Sequence, residues 1–165
     1  MKRITALLSI TTTLLVGCAA TGPTFSPAPV VDPDATNVYI YRRTALALGG
    51  RAAYFYINDV NVFDLNSGGY SWVSLPAGDY KLTQKWGFDM LAKPLVLDIQ
   101  VKPKQVRYFS FETNLCNGGY KEICLGWRLR EESPEVGSAE IQKAKFQENF
   151  GAAKLSEKLG QALPK

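Results

Sequence analysis

The sequence contains no histidine among its 165 residues. Histidine is the commonest general base and the commonest metal ligand, so its absence weighs against an enzyme and against a metal site. Carboxylates could act alone, but the candidate aspartates are scattered through predicted turns: Asp59, Asp64, Asp79 and Asp89. We expect no catalytic residue, no bound metal and no dissociable cofactor.

The sequence also lacks a strong charge of either sign. Nineteen basic and 15 acidic residues give a net charge of +4. Lys2 and Arg3 supply two of those charges, so 17 basic and 15 acidic residues remain beyond residue 17. No run of basic residues follows one face, and we therefore expect no nucleic-acid partner.

No apolar run in the N-terminal region is long enough to span a membrane. A hydrocarbon core of about 30 Å requires roughly 20 apolar residues. The stretch Ile4–Val16 is shorter than that, with basic Lys2 and Arg3 before it and small Gly17 after it. This order is typical of a secretory signal peptide, which we assign to residues 1–17.

The end of this peptide, Leu15-Val16-Gly17-Cys18, resembles the lipobox of bacterial lipoproteins. The resemblance implies that Cys18 becomes the first residue and carries a covalent diacylglycerol and an N-linked acyl chain. More than one chain is needed for lasting membrane attachment. Ala19 follows, and by resemblance to enterobacterial sorting this implies the periplasmic face of the outer membrane. The alternative is an ordinary secreted protein in which Cys18 is lost or pairs elsewhere.

We assign residues 18–35 to the N-terminus that the resemblance implies is lipidated, followed by a proline-rich stretch. Four prolines and little apolar periodicity are typical of a linker. As a coil it would span about 25 Å and hold the globular part clear of the lipid. The alternative is a segment that packs on the domain.

From Asn37 onward, short runs of β-branched and aromatic residues alternate with turn signals such as Asn58-Asp59 and Pro103-Lys104. The pattern predicts a mainly β domain over residues 36–132, an antiparallel β-sandwich of seven to eight short strands with a C-terminal α-helical tail. A barrel is the alternative. No stretch of helical period interrupts the strands, so a βαβ architecture is not expected.

Three segments of this domain resemble a family of uncharacterised bacterial lipoproteins, and the resemblance implies a fold and a location but no activity. They are VYIYR at 38–42, YINDVNVFDL at 56–65 and YSWVSLPAGDYKL at 70–82. Asp59 stands where that family usually has glycine. In the Leu-Pro-x-Gly-x-Tyr turn, Gly78 can take a positive φ and Tyr80 can pack over the turn. The alternative for Tyr80 is a ligand-stacking role.

Cys116 and Cys124 lie eight residues apart around an Asn-Gly-Gly turn. In an exported protein they form an even pair once Cys18 is lipidated, and we expect a disulfide across a hairpin. A zinc site would need more ligands, and the spacing is not that of a Cys-x-x-Cys redox pair. Tyr120 at the hairpin tip is a candidate partner-binding residue, and a solvated loop is the alternative.

Residues 133–165 are predicted to form a helical tail. Ser133-Pro134-Glu135 suits a helix start, and one or two helices are expected over 138–160. Phe146 and Phe150, four residues apart, could dock an envelope protein. The alternatives are packing on the sandwich and lying on a membrane.

The sequence therefore favours a lipid-anchored, non-catalytic envelope protein whose sandwich binds or scaffolds another envelope component. The alternative is binding of a glycan or small ligand by exposed aromatic side chains. The candidates for that role are Trp72, Trp86, Trp127 and Tyr120. Because each tryptophan lies in a predicted strand, the core is an equally natural place for it.

Overall fold

Strand β1 (Thr36–Arg42) occupies the middle of the larger of two sheets. The computed structural model describes residues 19–30, 32–88, 90, 92–117 and 123–160. In it, β1 lies between β4 (Gly69–Leu75) and β7 (Val106–Asn117). The long strand β8 (Ile123–Glu132) pairs with the outer edge of β7. The two-residue strand β9 (Lys145–Phe146) pairs with the outer edge of β4.

The smaller sheet has the strand order β3-β2-β5-β6. Its strands, all paired antiparallel, are β2 (Ala53–Ile57), β3 (Val60–Leu65), β5 (Gly78–Lys85) and β6 (Leu95–Val101). The two sheets pack face to face, which confirms the predicted sandwich. Within the larger sheet, β1 runs parallel to β7 and β4 runs parallel to β9, so that sheet is mixed rather than wholly antiparallel.

Alternation along the strands places one apolar face of each sheet in the core. Phe55 of β2 shows how the two sheets meet. Its ring centroid lies 5.8 Å from that of Phe63 in the same sheet and 5.6 Å from that of Phe111 in the other. All three rings are fully buried. Each contributes roughly 1.5–3 kcal/mol of transfer free energy.

Residues 19–30 pack along the outer face of the larger sheet, so the predicted free linker is wrong for this part of the chain. The ring of Phe25 lies 5.6 Å from Tyr39 and 5.3 Å from Tyr70, measured between centroids. The backbone N–H of Ala28 donates to the Tyr39 hydroxyl at 2.7 Å, and that of Ser26 donates to the Tyr70 hydroxyl at 3.1 Å. The segment docks because the outward tyrosines offer both an apolar surface and acceptors for its backbone.

The tail begins as predicted. Helix α1 (Pro134–Ile141) is capped by Ser133, whose hydroxyl accepts from the N–H of Val136. After β9, helix α2 (Ala152–Lys158) places Leu155 in the core between the sheets. The tail therefore packs on the sandwich. Neither helix in the described ranges is long and apolar enough to cross a membrane.

The prediction that Phe146 and Phe150 share one helix is wrong. Phe146 lies in β9, and its ring centroid is 5.7 Å from that of Tyr70. Its N–H donates to the carbonyl of Pro23 at 2.8 Å, and the N–H of Gln147 donates to the carbonyl of Tyr70 at 2.8 Å. These tertiary pairings outweigh the local helix preference. Phe150 is more than half exposed.

Two of the predicted turns, at residues 58–59 and 76–80, are present in the fold. Asn58 and Asp59 have φ values of 45° and 67°. This is the left-handed pair that a two-residue hairpin requires. Tyr80 packs over its turn as predicted and donates its hydroxyl proton to the carbonyl of Pro76 at 3.1 Å. Gly78 does not use a positive φ, and a Cβ there would lie 3.5 Å from the Tyr80 ring, an ordinary contact.

Candidate functional site

Strand directions give the sandwich two different ends. The closed end carries the short turns at residues 58–59, 76–77 and 102–105. The open end carries the connections at residues 43–52, 66–68 and 86–94, together with the β7–β8 hairpin. Ala19 lies at the open end, where it forms an isolated bridge with Ser67, and the N–H of Ala20 donates to the Ser67 carbonyl at 3.0 Å.

Arg42 is a buried cation that organises the open end. Only 1% of the residue is exposed. Its guanidinium donates to the carbonyls of Leu48 at 2.6 Å and Leu65 at 2.9 Å, and also to that of Arg51. The guanidinium carbon lies 5.4 Å from the ring centroid of Trp86. Burial lowers the pKa of Arg42 to about 10, so the side chain is still charged at neutral pH.

The β1–β2 loop is held in place but presents a leucine to solvent. The N–H of Ala45 donates to the Ser67 hydroxyl at 3.2 Å, and the Thr113 hydroxyl donates to the carbonyl of Ala47 at 2.6 Å. Between these two anchored positions, Leu46 is completely exposed, with a relative accessibility of 101%. The loop therefore displays this side chain on a fixed backbone.

Further apolar side chains are exposed at the open end. Phe88, in the β5–β6 connection, is 98% exposed. In the larger sheet, Arg42 at the end of β1 pairs with Phe111, so β7 continues beyond it as far as Asn117. At the rise of an extended strand this continuation is about 20 Å long. Leu115 and Leu125 are cross-strand partners on it, are 61% and 46% exposed, and continue the face of Phe111 beyond the cover of the smaller sheet.

A cleft of about 250 Å³ lies beside the β1–β2 loop, between β1 and α1. Arg43 stands in it, surrounded by carboxylates. Its Nη1 atom lies 2.7 Å from Glu112, and its Nη2 atom lies 2.8 Å from Glu140 and 3.4 Å from Glu132. Glu140 also accepts the hydroxyl proton of Tyr41 at 2.6 Å. The network joins α1 to the larger sheet.

The pKa values in the cleft follow from this network. Burial would raise the pKa of Glu140, but hydrogen bonds from Tyr41 and Arg43 outweigh it and hold the pKa below its ordinary value of 4.5. Burial and the neighbouring Glu140 raise the pKa of Tyr41 far above its ordinary value. Glu140 and Tyr41 therefore do not titrate near neutral pH, where an efficient general acid or base would. Their arrangement suits structural attachment of α1.

The predicted disulfide pair lies near the tip of the open end. Cys116 and Cys124 are direct partners in the β7–β8 ladder, which is the backbone pairing that the predicted disulfide across the hairpin requires. The disulfide itself stays a prediction. Cys18, the predicted lipid-attachment residue, and Tyr120, the partner-binding candidate, lie outside the described residues.

The tryptophans proposed for sugar stacking belong largely to packed regions. Trp86 is buried, and its ring centroid lies 5.9 Å from that of Trp127 in an edge-to-face contact. Trp127 is half-buried against the core between the sheets, and half-buried Trp72 packs on the outer face of the larger sheet. The prediction that Trp86 offers an exposed surface for sugar stacking is therefore wrong.

The candidate aspartates are not gathered at one end. Asp59 and Asp79 lie at the closed end. Asp64 lies in β3, where burial raises its pKa although a hydrogen bond from Asn61 opposes the shift. Asp89 lies outside the described residues. Within the described ranges, no three His, Cys, Asp or Glu residues group in a way that could hold a metal ion.

Sequence reasoning did not single out Arg42, Leu46 or Phe88. A signal for Arg42 exists, because the alternation of Val38 and Ile40 continues to it on the inner face of β1. Leu46 and Phe88 lie in loops, where no helix or strand periodicity distinguishes an exposed apolar residue from a buried one. Their shared location emerges only from the fold.

Residues 32–121 match the family described as "Protein of unknown function (DUF2846)", which is more than half of the chain. The chain belongs to this family. The DUF2846 match begins just before β1 and ends beyond β7, so β8 and the tail lie outside it although β8 extends the same sheet. A search of the curated proteins finds no match. Membership of DUF2846 confirms the expected uncharacterised domain and supplies no activity.

Proposed function

We propose that this protein is a lipid-anchored, non-catalytic component of the cell envelope, located on the periplasmic face of the outer membrane, whose β-sandwich binds or scaffolds another envelope component. The observation that carries the proposal is the placement of Ala19. This residue follows the lipobox cysteine, Cys18, and is bridged to Ser67 of the folded domain. An anchor on Cys18 would hold the sandwich directly at the lipid surface.

The anchor is tested by metabolic labelling with a palmitate analogue in a bacterium that processes lipoproteins. We expect the wild-type chain to be labelled and to sediment with membranes. The C18S variant should be neither labelled nor retained, because it lacks the thiol that forms the thioether. The C116S/C124S double variant is the matched control and should be labelled like the wild type. A wild-type chain without label, or a labelled C18S variant, would contradict the proposed anchor.

The scaffolding role needs an exposed surface, and the tail supplies one. Phe150 is 55% exposed and Val136 of α1 is 43% exposed. Deleting the tail is not a clean test, because Leu155 belongs to the core and β9 extends the larger sheet. Point substitutions on the surface are therefore required.

We suggest placing a photo-crosslinking amino acid at position 136 in living cells, in the wild-type background and with F150D. The proposal predicts one recurrent envelope protein, recovered in smaller amount from the F150D background. Val30 is also strongly exposed, so V30D serves as the control substitution and should leave recovery unchanged. Recovery of lipid and peptidoglycan alone would argue against a protein partner at this surface.

A further inference from the structure

We infer that the open end of the sandwich lies against the phospholipid bilayer, with Leu46 and Phe88 inserted into its interfacial region. This inference rests on the proposed lipid anchor at Cys18. It adds an orientation and a membrane-contacting surface to that proposal.

The position of the N-terminal segment restricts how far the domain can stand from the lipid. One residue of extended chain spans at most about 3.6 Å, and a single peptide bond separates Cys18 from Ala19. Ala19 is bridged to Ser67, whose hydroxyl accepts from the N–H of Ala45. Ala45 is the neighbour of Leu46 in the chain. The anchor and Leu46 are therefore joined through a short, hydrogen-bonded path.

Several exposed large apolar residues lie at the open end of the sandwich, and others lie elsewhere on the surface. Single exposed apolar side chains are normal on a protein surface, but a group beside an attachment point marks an interaction site. Leu46 and Phe88 are the two most exposed large apolar residues described, and Leu115 and Leu125 lie at the same end. Arg42 donates hydrogen bonds to the carbonyls of Leu48 and Arg51 in the β1–β2 loop, so Leu46 is presented before any membrane contact.

The charges at this end suit a lipid surface. Lys93, Arg128 and Lys143 are exposed there, and Arg128 Nε lies 3.8 Å from Glu112. The carboxylates beside this end, Glu112 and Glu140, are paired with Arg43. Basic side chains are attracted to anionic headgroups. Apolar side chains flanked by cations are typical of surfaces that lie in the membrane interface. This combination, next to the proposed acyl chains, favours lipid over a protein partner as the occupant of the open end.

The test uses the lipidated full chain, purified from membranes and reconstituted into vesicles of phosphatidylethanolamine and phosphatidylglycerol. L46W and F88W report on the open end, and V106W reports on the closed end. Leu46 and Phe88 are almost fully exposed and Val106 is about half exposed, so none of the added indoles replaces a buried side chain. Each variant is compared with the parent chain in vesicles with and without lipids brominated near the headgroup end of their acyl chains.

Interfacial side chains lie about 5–10 Å into the boundary between headgroups and acyl chains, within reach of these quenchers. We expect the added fluorescence of L46W and F88W to shift to the blue and to be quenched by brominated lipid, while that of V106W is unaffected. Equal quenching of all three variants, or of none, would overturn the orientation while the mass of the lipidated N-terminal peptide still upheld the anchor. An unmodified Cys18 in that peptide would overturn both proposals.

Discussion

Buried polar side chains near the two ends of the sandwich differ in their hydrogen bonding. At the closed end, fully buried Thr36 uses its hydroxyl twice: it donates to the carbonyl of Lys102 and accepts from the N–H of Gln105 at 3.0 Å. Towards the open end, Gln84 is fully buried and Trp86 nearly so. Within the described residues, the two polar atoms of the Gln84 amide have no hydrogen-bond partner, and the indole nitrogen of Trp86 has none either.

This difference in hydrogen bonding means that the buried hydroxyl at the closed end supports folding stability, whereas the buried polar groups towards the open end do not. A buried polar group without a partner costs roughly 1–3 kcal/mol. Local violations of good packing are expected where a protein's function constrains its sequence. Thr36 at the closed end is satisfied within a short turn, whereas the open end has long connections, exposed apolar side chains and the unpartnered amide of Gln84. We therefore expect substitutions at the open end to give the most varied effects.

The largest effect is expected from removing the buried cation at the open end. R42A would leave the carbonyls of Leu48 and Leu65 without their donor and would open a cavity. We expect a loss of about 3–5 kcal/mol in the free energy of unfolding, measured by urea denaturation.

R128A is the control for this experiment. The side chain of Arg128 is 63% exposed. Its removal should change the free energy of unfolding by less than about 0.5 kcal/mol. Similar losses in both variants would show that Arg42 does not organise this end.

The second effect concerns the hairpin that extends from the open end. A Cys116–Cys124 disulfide would close a nine-residue loop and stabilise the fold by roughly 2.5 kcal/mol. Reductant should lower the unfolding midpoint of the wild-type chain to that of C116S/C124S and should leave the double variant unchanged. If both thiols react with a labelling reagent in the folded, unreduced protein, the disulfide is absent.

We expect a substitution of Gln84 to increase the free energy of unfolding. It tests whether the open end is less stable than its packing would allow. Q84M keeps the volume of the side chain and removes the buried amide without partners. The free energy of unfolding should rise by about 1–2 kcal/mol. Gln100 occupies an exposed position of β6. Q100M is therefore the control and should change stability by less than about 0.5 kcal/mol. A less stable Q84M variant would indicate that the amide is satisfied in solution.

The smallest effect concerns the cleft beside the open end. Arg43 and Glu140 have side chains that are 30% and 35% exposed. Screening at such exposure limits their pair to about 1 kcal/mol, and E140Q should lower stability by that amount at neutral pH. The folded pKa of Glu140 lies below 4.5. Its contribution is therefore present above that value and is lost as the pH falls through the lower folded pKa.

The difference in stability between the wild type and E140Q should therefore close in acid. Chemical denaturation at neutral and acidic pH measures it, with E148Q at an exposed position as the control. A gap that persists in acid would mean that the charge of Glu140 is not what attaches α1.

The features of this fold that could be predicted are local ones. Alternation and turn residues predicted the sandwich, the Asn58-Asp59 turn and the packing of Tyr80, because each depends on neighbours in the chain. The pairing of Cys116 with Cys124 follows from hairpin geometry in the same way. The docking of residues 19–30 could not be predicted, because it depends on Tyr39 and on the more remote Tyr70.

The candidate site was predicted less completely than the fold. The cysteines were identified, but the open end depends on three loops that meet only after folding. Phe146 shows the same limit, since pairing with the edge of β4 decided its conformation over a sequence that favours helix. These features depend on pairing between segments that are far apart in the chain, and a single sequence does not reveal which segments pair.

The parallel pairing of β1 with β7 also bears on when this chain can fold. Asn37 pairs with Val106, and Arg42 pairs with Phe111, across about two fifths of the chain length. Folding rates fall as contacting residues lie further apart in sequence. The β2–β3 and β5–β6 hairpins can form early, but the larger sheet must wait until β7 has been synthesised. We expect the pairing of β1 with β7 to be a late and slow step of folding. The new chain therefore stays incompletely folded for longer than a β meander with only local pairings would.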